Sequence, residues 1–480
     1  MQFALFTCKL EPMNSNPVSA PPASHPTIFT IFGITGDLAS RKLLPALLTL
    51  YAKRLMPPRF SIIGFSRRSF TREEFREYIR GRLKIQPGEF REEDVKHFLD
   101  HISYEQGLFN DPRAYARLAE RLKSIDDRWG QCSNKLFHLS IPPDLYEGIL
   151  NHVHSSGLSL PCADDTGWTR ILIEKPFGNN FETAKSLDRL LGKLFKEEQI
   201  FRIDHYLAKE AMQNILAFRF SNMIFEPLWN REYLDKIHIK LFEKAGMEGR
   251  GAFYDPIGAL KDVGQNHMLQ MLALVTMEKP KSFESKAIRK ERARVLSKLN
   301  IIRRRSLASN AIKGQYAGYI AEQGVSPQSE TETYFRIKAT INSGRWKSMP
   351  IYLESGKGFA ESKAEVDVYF KSARKNEVRN ILTFRIQPDE GIKIRFLVKR
   401  PGYGFEVEPK TLKFKYADVQ SFGDIPADYE RLIYDAIIGD QTLFTSTDEI
   451  MSSWKFITGL LEGWKDLPLI KYEKGVKEIE

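Results

Sequence analysis

The residues Arg202-Ile203-Asp204-His205-Tyr206-Leu207-Ala208-Lys209-Glu210 gather more reactive side chains than any other stretch of the chain. Histidine titrates nearest neutrality, with an ordinary pKa of about 6.5, and beside a lysine it can hold an oxyanion by charge and hydrogen bonds. His205 and Lys209 stand four apart, so a helix starting here would stack them on one face toward a single anionic group. One helical turn would then supply two of the cations that a dianionic phosphate needs. Asp204 lies outside that pair and keeps its carboxylate for another partner. A surface helix can carry as many charges for solubility alone, so the surrounding elements must decide between the two readings.

Those elements begin with Thr27-Ile28-Phe29-Thr30-Ile31-Phe32, a β-branched apolar run that reads as a buried strand. It enters Gly33-Ile34-Thr35-Gly36-Asp37-Leu38-Ala39-Ser40 and then a helical pattern through Leu43, Leu44, Leu47, Leu48 and Tyr51. Strand, glycine turn and helix open a dinucleotide-binding unit, in which a pyrophosphate rests on the helix N-terminus. The glycines depart from G-x-G-x-x-G, because Thr35 holds the second place and Leu38 the third, so the turn alone also fits a plain strand-to-helix connection. A second apolar strand over 60–65 ends at Ser66-Arg67-Arg68. An acid there would hold the ribose hydroxyls of NAD; an arginine suits the additional phosphate of NADP. Further strands at 135–140 and 170–174, with helical stretches at 111–125 and 145–154, complete an alternation that indicates a doubly wound parallel sheet. The strand at Ile171 ends in Glu174-Lys175-Pro176-Phe177-Gly178, which puts Lys175 at a carboxyl end where ligands of such sheets collect.

At 480 residues the chain is too long for one core and is expected to form two domains. Three cysteines, Cys8, Cys132 and Cys162, lack metal-like spacing and indicate a reducing compartment. No apolar run reaches membrane-spanning length, and the opening residues lack the basic start and cleavage site of a signal peptide. Residues 14–26, rich in Ser, Pro and Ala, read as a disordered lead-in, and Met13 is a plausible alternative start. Much of the excess behind the formal charge of +11 sits over 279–305. Val, Leu and Ile recur between those charges and Phe283 is the one aromatic there, too few for a base-stacking platform, so the segment reads as an amphipathic helix with a solvated basic face rather than a nucleic-acid platform. A positive surface also steers phosphorylated substrates. His267, followed by Met268, Leu269, Met271, Leu272 and Leu274, reads by itself as a packed core histidine.

Four segments in this order change that reading, because together they resemble glucose-6-phosphate dehydrogenase: Gly33 through Ala39, Glu174 through Gly178, Arg202 through Glu210, and Asp262-Val263-Gly264-Gln265-Asn266-His267. Glu248-Gly249-Arg250-Gly251, Gly314-Gln315-Tyr316, Gly356-Lys357, Arg385-Ile386-Gln387-Pro388 and Tyr429-Glu430-Arg431-Leu432 extend the resemblance over about 27–464. The resemblance implies NADP-dependent oxidation of glucose 6-phosphate to its lactone, with His267 as general base and Asp204 orienting it. It assigns the sugar phosphate to His205, Tyr206, Lys209 and Lys357, the sugar hydroxyls to Glu243 and Asp262, and a place between coenzyme and substrate to Lys175. Gly33, Thr35, Gly36, Asp37, Leu38, Arg67, Tyr104 and Lys175 become coenzyme contacts, and no metal is required because the coenzyme carries the redox step. Histidine suits this role, because removing a hydroxyl proton near neutral pH needs such a base, and a carboxylate on the other ring nitrogen selects the tautomer.

The sequence departs from the family at Ala208, in place of a usual glycine, and at Ser362, where a second basic residue near the sugar phosphate is common and Lys363 stands beside it. Lys363 and Arg385 are the visible candidates for a second NADP site of the kind some members have, and the tail after Lys465 resembles nothing useful. From His205 onward, helices precede alternating strands at 236–243, 333–341, 351–354, 365–370, 382–386, 393–398 and 411–416, and helices at 428–438 and 447–461 close the chain. Alternation without intervening helices implies a mainly antiparallel sheet with one covered face. The expected fold is therefore a lead-in (1–26), a Rossmann-like NADP-binding domain (27–204) and a substrate-binding and dimerisation α+β domain (205–480). The expected protein is a cytoplasmic homodimer or homotetramer that needs neither membrane nor specific nucleic acid. The rivals are a dehydrogenase of another sugar phosphate, an NAD-preferring member, and a non-catalytic nucleotide or nucleic-acid binder.

Overall fold

In the computed structural model, which describes residues 25–83, 85, 88–161, 167–372, 378–419 and 425–479, two sheets organise the chain. The strands of the first are β1 (Thr27–Phe32), β2 (Phe60–Ser66), β3 (Ile102–Gln106), β4 (Asn134–Leu139), β5 (Thr169–Ile173) and β6 (Ile200–Ile203). Those of the second are β7 (Leu234–Glu243), β8 (Ala311–Tyr316), β9 (Tyr334–Ala339), β10 (Ile351–Lys357), β11 (Lys363–Phe370), β12 (Ile381–Gln387), β13 (Gly391–Lys399) and β14 (Val407–Lys415). The late strands β15 (Phe444–Thr445) and β16 (Leu469–Tyr472) join the first and second sheets respectively. Nearly all of the lead-in expected over 14–26, and with it Met13, lies outside the described residues.

The first sheet runs β15-β6-β5-β4-β1-β2-β3, parallel except for β15, and is the expected doubly wound layer. Every residue of β1 and β4 is buried, as parallel strands with helices on both faces require. The register places Phe32 beside both Phe65 and Leu139, so the chain leaves three neighbouring strands at one edge. Between β1 and β4 the winding direction reverses, the place where open α/β sheets bind ligands. Two strands further along, Ile173 of β5 pairs with Arg202 of β6. Lys175 and Asp204 therefore leave adjacent strand ends at the same edge.

The second sheet runs β14-β13-β12-β11-β7-β10-β9-β8-β16. It is mainly antiparallel, with parallel pairs at β7–β10 and β8–β16. Alternation along β12, where Leu382, Phe384 and Ile386 are buried and their neighbours only partly, marks the covered face. The helix Glu210–Ser221 packs against that face, with Phe218 meeting the Phe384 ring edge-on. The parallel register of β7 and β10 sets Lys357 directly beside Glu243.

Two expectations change, and the unassigned tail finds a place. The helix of the chemically rich stretch starts at Glu210, after turns over 205–208, so His205 and Lys209 do not share a helical face. Asp204 accepts the Tyr206 backbone N–H at 3.1 Å and Lys209 stands at the helix cap, so side-chain hydrogen bonding favours a turn over a helix start here. The basic helix Ser285–Leu296 does not present all its cations to solvent either. Arg289 and Arg292 are buried; Arg292 meets Glu449 at 2.8 Å and the Thr442 and Phe444 carbonyls, while Arg289 meets Glu197 at 2.7 Å and Gln441 at 2.6 Å. Periodicity cannot separate a solvated arginine from one that finds an acid in a distant helix. The tail after Lys465, finally, is built into the fold: β16 pairs with β8, and the Ile479 carbonyl accepts from Arg336 at 3.1 Å.

Arg202 belongs to the same buried network, bonded to Asp188 at 2.8 Å and Glu197 at 3.0 Å, so it anchors β6 from behind the site. Removing one partner of a buried ion pair leaves the other charge uncompensated, and Glu449→Ala is expected to lower unfolding free energy by about 3–5 kcal/mol. Urea denaturation at neutral pH checks this; a loss below about 1 kcal/mol would mean that Arg292 is satisfied by carbonyls alone.

Candidate active site

Strand ends and one unusually wound helix assemble the site. Residues Leu260–Met268 form a π-helix, begun where Glu332 Oε1 accepts the Leu260 N–H at 2.9 Å. Five residues of α-helix would turn Asp262 and His267 about 140° apart; winding with i→i+5 bonds brings them much closer to one face. Both face the ends of β5 and β6.

There His267 Nδ1 lies 2.5 Å from Asp204 Oδ1, and both side chains are 2% exposed. An ionised carboxylate only accepts, so Nδ1 carries the proton and Nε2 keeps a lone pair. Lys175 Nζ donates to that lone pair at 3.0 Å, and to the Asp262 carbonyl and Oδ1 at 3.0 and 3.4 Å. Tyr206 stacks on the His267 ring with centroids 4.3 Å apart, and His205 meets its edge at 4.7 Å. Lys357 bonds Glu243 and stands 3.8 Å from Asp262 Oδ2. Lys209 bonds Asp428 at 3.3 and 3.4 Å and lies 5.7 Å from the Tyr206 ring centre. The catalytic and substrate-binding residues expected from the sequence thus meet in one cluster, 63 positions of chain separating Asp204 from His267.

Burial pushes the His267 imidazole below its usual pKa, and the upward pull of Asp204 does not cancel this. Burial also opposes charge on Asp204, but His267, then His205 and Lys175, hold its carboxyl below the ordinary range. An ionised aspartate beside a neutral imidazole results, which is a base ready to take a hydroxyl proton. His205 is driven well below its usual pKa by burial and by the nearby His267 and Lys175. It therefore enters the site neutral, as a hydrogen-bonding group, rather than as the second cation that its spacing from Lys209 suggests.

Several supports of the site carry little or no signal in the sequence. Asn266 takes the His267 N–H at 2.6 Å and donates to the Asp262 carbonyl at 2.9 Å; its adjacency to His267 was a usable signal. Gln387, which donates to the Tyr206 hydroxyl at 3.2 Å, lies in a segment that carried the resemblance but no assigned role, and Asp428, from a distant element, left no local trace. Ser362 accepts the Lys244 N–H at 2.8 Å, and Lys363 pairs with Glu361 at 3.1 Å.

At the switch point, Gly33 has φ +83°, and a Cβ there would lie 2.2 Å from the Ser140 carbonyl oxygen. Only glycine permits this close turn. Thr35 Oγ1 reaches Ser66 Oγ at 3.3 Å, and Tyr104 supports the same loop, bonding the Ser66 carbonyl at 2.8 Å. Asp37 pairs with Arg41 at 2.7 Å in solvent, and Leu38 continues the turn into the π-helical segment Ala39–Leu43. β2 ends in Ser66 rather than an acid, and Arg67, exposed beside it, has no acidic partner among the described residues. A glycine turn, an open helix start and a free guanidinium fit a dinucleotide carrying a ribose phosphate.

Fold and site together fit a nicotinamide-nucleotide dehydrogenase. Residues 30–214 match the family described as glucose-6-phosphate dehydrogenase, NAD binding domain, and 216–479 match its C-terminal domain. A glucose-6-phosphate 1-dehydrogenase of Borreliella burgdorferi is 40% identical over 94% of this chain and 95% of its own length. One from Aggregatibacter actinomycetemcomitans is 41% identical over 90% and 89%. A solved glucose-6-phosphate dehydrogenase in complex with its substrate glucose 6-phosphate superposes with a TM-score of 0.89 at 32% identity, over 96% of this chain and 97% of that one. The chain belongs to the glucose-6-phosphate dehydrogenase family. Arg67→Asp is expected to raise the KM for NADP by about tenfold or more while changing that for NAD far less, as loss of a phosphate contact should. Parallel titrations with the two coenzymes check this, and an equal effect on both would remove Arg67 from the phosphate site.

Proposed function

We propose that this protein oxidises D-glucose 6-phosphate to 6-phospho-D-glucono-1,5-lactone with NADP, the first step of the oxidative pentose phosphate pathway, with His267 as the base. The observation carrying the residue assignment is the 2.5 Å bond between buried Asp204 and His267. Family membership supplies the substrate.

When bound, NADP supplies the hydride acceptor, and Gly33, Thr35, Gly36, Asp37, Leu38, Arg67, Tyr104 and Lys175 are the residues to hold it. His267 Nε2 takes the proton of the anomeric hydroxyl, the place that Lys175 caps at 3.0 Å in this structure. Asp204 holds the ring in the right tautomer and stabilises the imidazolium that forms. Lys175, bonded to both Asp262 and His267, bridges coenzyme and sugar. His205, Tyr206, Lys209 and Lys357 grip the phosphate, and Glu243 and Asp262 orient the sugar hydroxyls. As carboxylates those two accept hydrogen bonds that a hydroxyl can donate, and they balance the charge of Lys357.

Among the described residues no helix is long and apolar enough to cross a membrane. Three cysteines without metal-like spacing support a cytoplasmic enzyme. Partial exposure along β13 and greater exposure along β14, at one end of the nine-stranded sheet, support assembly as a homodimer or homotetramer across that sheet.

Absorbance of reduced coenzyme tests the reading: NADP with glucose 6-phosphate should give rapid reduction, and unphosphorylated glucose or NAD much less. His267→Asn is expected to cut kcat by about 10²–10⁴-fold with substrate affinity nearly kept, as loss of a general base does. Because His267 must be neutral to act and its pKa is lowered, kcat/KM should hold on acidification past pH 6.5 and fall only below it. Asp204 raises that pKa, so Asp204→Asn should move the acid limb further down while lowering the plateau. A limb above pH 6.5 in the wild type would mean another group controls the rate.

A further inference from the structure

Behind Lys175, Glu174 is buried, its carboxylate held from two elements and its carbonyl from a third. It accepts from His138 Nε2 of β4 at 3.0 Å and from the Tyr429 hydroxyl at 3.1 Å to each oxygen, while the Glu174 carbonyl accepts from the Tyr146 hydroxyl at 2.9 Å. Tyr429 is the second residue of the helix Asp428–Ile438. Its neighbours point to other places: Asp428 holds Lys209 at 3.3 and 3.4 Å, and Glu430 holds Lys53, at the cap of the helix Leu44–Ala52, at 2.7 Å. Three consecutive side chains of one turn therefore touch a lysine of the anion-gripping stretch, the carboxylate behind Lys175, and the first helix of the coenzyme-binding sheet.

We propose that this first turn couples recognition of the substrate phosphate to the placement of Lys175 against His267, with Tyr429 and Asp428 as positioning residues. The proposal rests on the reading of the site given above. Asp428 pairs with the Lys209 ammonium at 3.3 Å. A dianionic phosphate competes for that ammonium and brings negative charge toward the carboxylate, so Asp428 loses its partner and is repelled. The residue next to it grips both Glu174 oxygens, and a buried carboxylate bound on all sides moves with its partners or loses their bonds. Glu174 is joined to Lys175 by one peptide bond, so a shift of the turn reaches the ammonium that faces His267 Nε2. The Glu430–Lys53 pair gives the turn a pivot on the coenzyme side. Binding energy from a non-reacting group would in this way serve the reacting centre.

The test compares glucose 6-phosphate with unphosphorylated glucose at saturating NADP. Tyr429→Phe is expected to lower kcat for glucose 6-phosphate about tenfold with KM within about threefold, and to lower kcat/KM for glucose less than threefold. Asp428→Asn, which leaves the Tyr429–Glu174 bonds in place, should give the same pattern, and the double variant should be no worse than the poorer single, as members of one relay are not additive. Equal losses on both substrates, no loss on either, or additive losses in the double variant would overturn the coupling. A wild-type protein that does not reduce NADP with glucose 6-phosphate would instead overturn the proposed function.

Discussion

A carboxylate and an imidazole, both withdrawn from water, share a hydrogen bond between residues 63 positions apart, and the architecture around the site is arranged to permit it. Neither group could stay buried alone at reasonable cost. Asp204 is kept ionised by its cationic and polar neighbours, while His267 is kept neutral by burial and by Lys175. The pair needs two strand ends in register, supplied by β5 and β6, and a helix aimed at them from the second part of the chain.

That helix is wound as a π-helix where it carries Asp262 and His267. The winding is held from outside and within: Glu332 accepts the Leu260 N–H at its start, Lys175 donates to the Asp262 carbonyl in its middle, and Asn266 of the same helix donates to that carbonyl as well. An i→i+5 segment is rare in a helix, and here its start and middle are tied to fixed partners. The buried arginines play a matching part at the far side: Arg202, Arg289 and Arg292 bind Glu197, Glu449 and the carbonyls around β15, fastening the end of the first sheet to the last long helix.

The electrostatics of the site differ from a simple cationic pocket. Lys175, Lys209 and Lys357 each have an acidic partner, Asp262, Asp428 and Glu243 respectively, and His205 is uncharged. The positive charge of these three lysines is therefore already matched by carboxylates within the protein.

Much of this was legible in the chain itself. Hydrophobic period and strand-to-helix alternation marked the parallel sheet, because strands buried on both faces read as continuous apolar runs such as Thr27 through Phe32. Gly33, Arg67 and Lys175 sat at strand ends, where position follows from sequence order. Chemistry carried by residue type at short spacing, as in Arg202 through Glu210, could also be seen, and motif resemblance named the distant partner His267. What only the tertiary structure decided were pairings between elements that share no period. Local spacing favoured a helix at His205, whereas the fold makes a turn held by Asp204. The basic helix looked solvated, whereas Glu449 and Glu197 arrive from elsewhere to bury Arg292 and Arg289. Protonation states followed the same rule, since His205 loses its charge to burial and to neighbours from other segments. Sequence sets periodicity and the donor and acceptor inventory locally; burial and long-range partnership exist only once the chain has closed on itself.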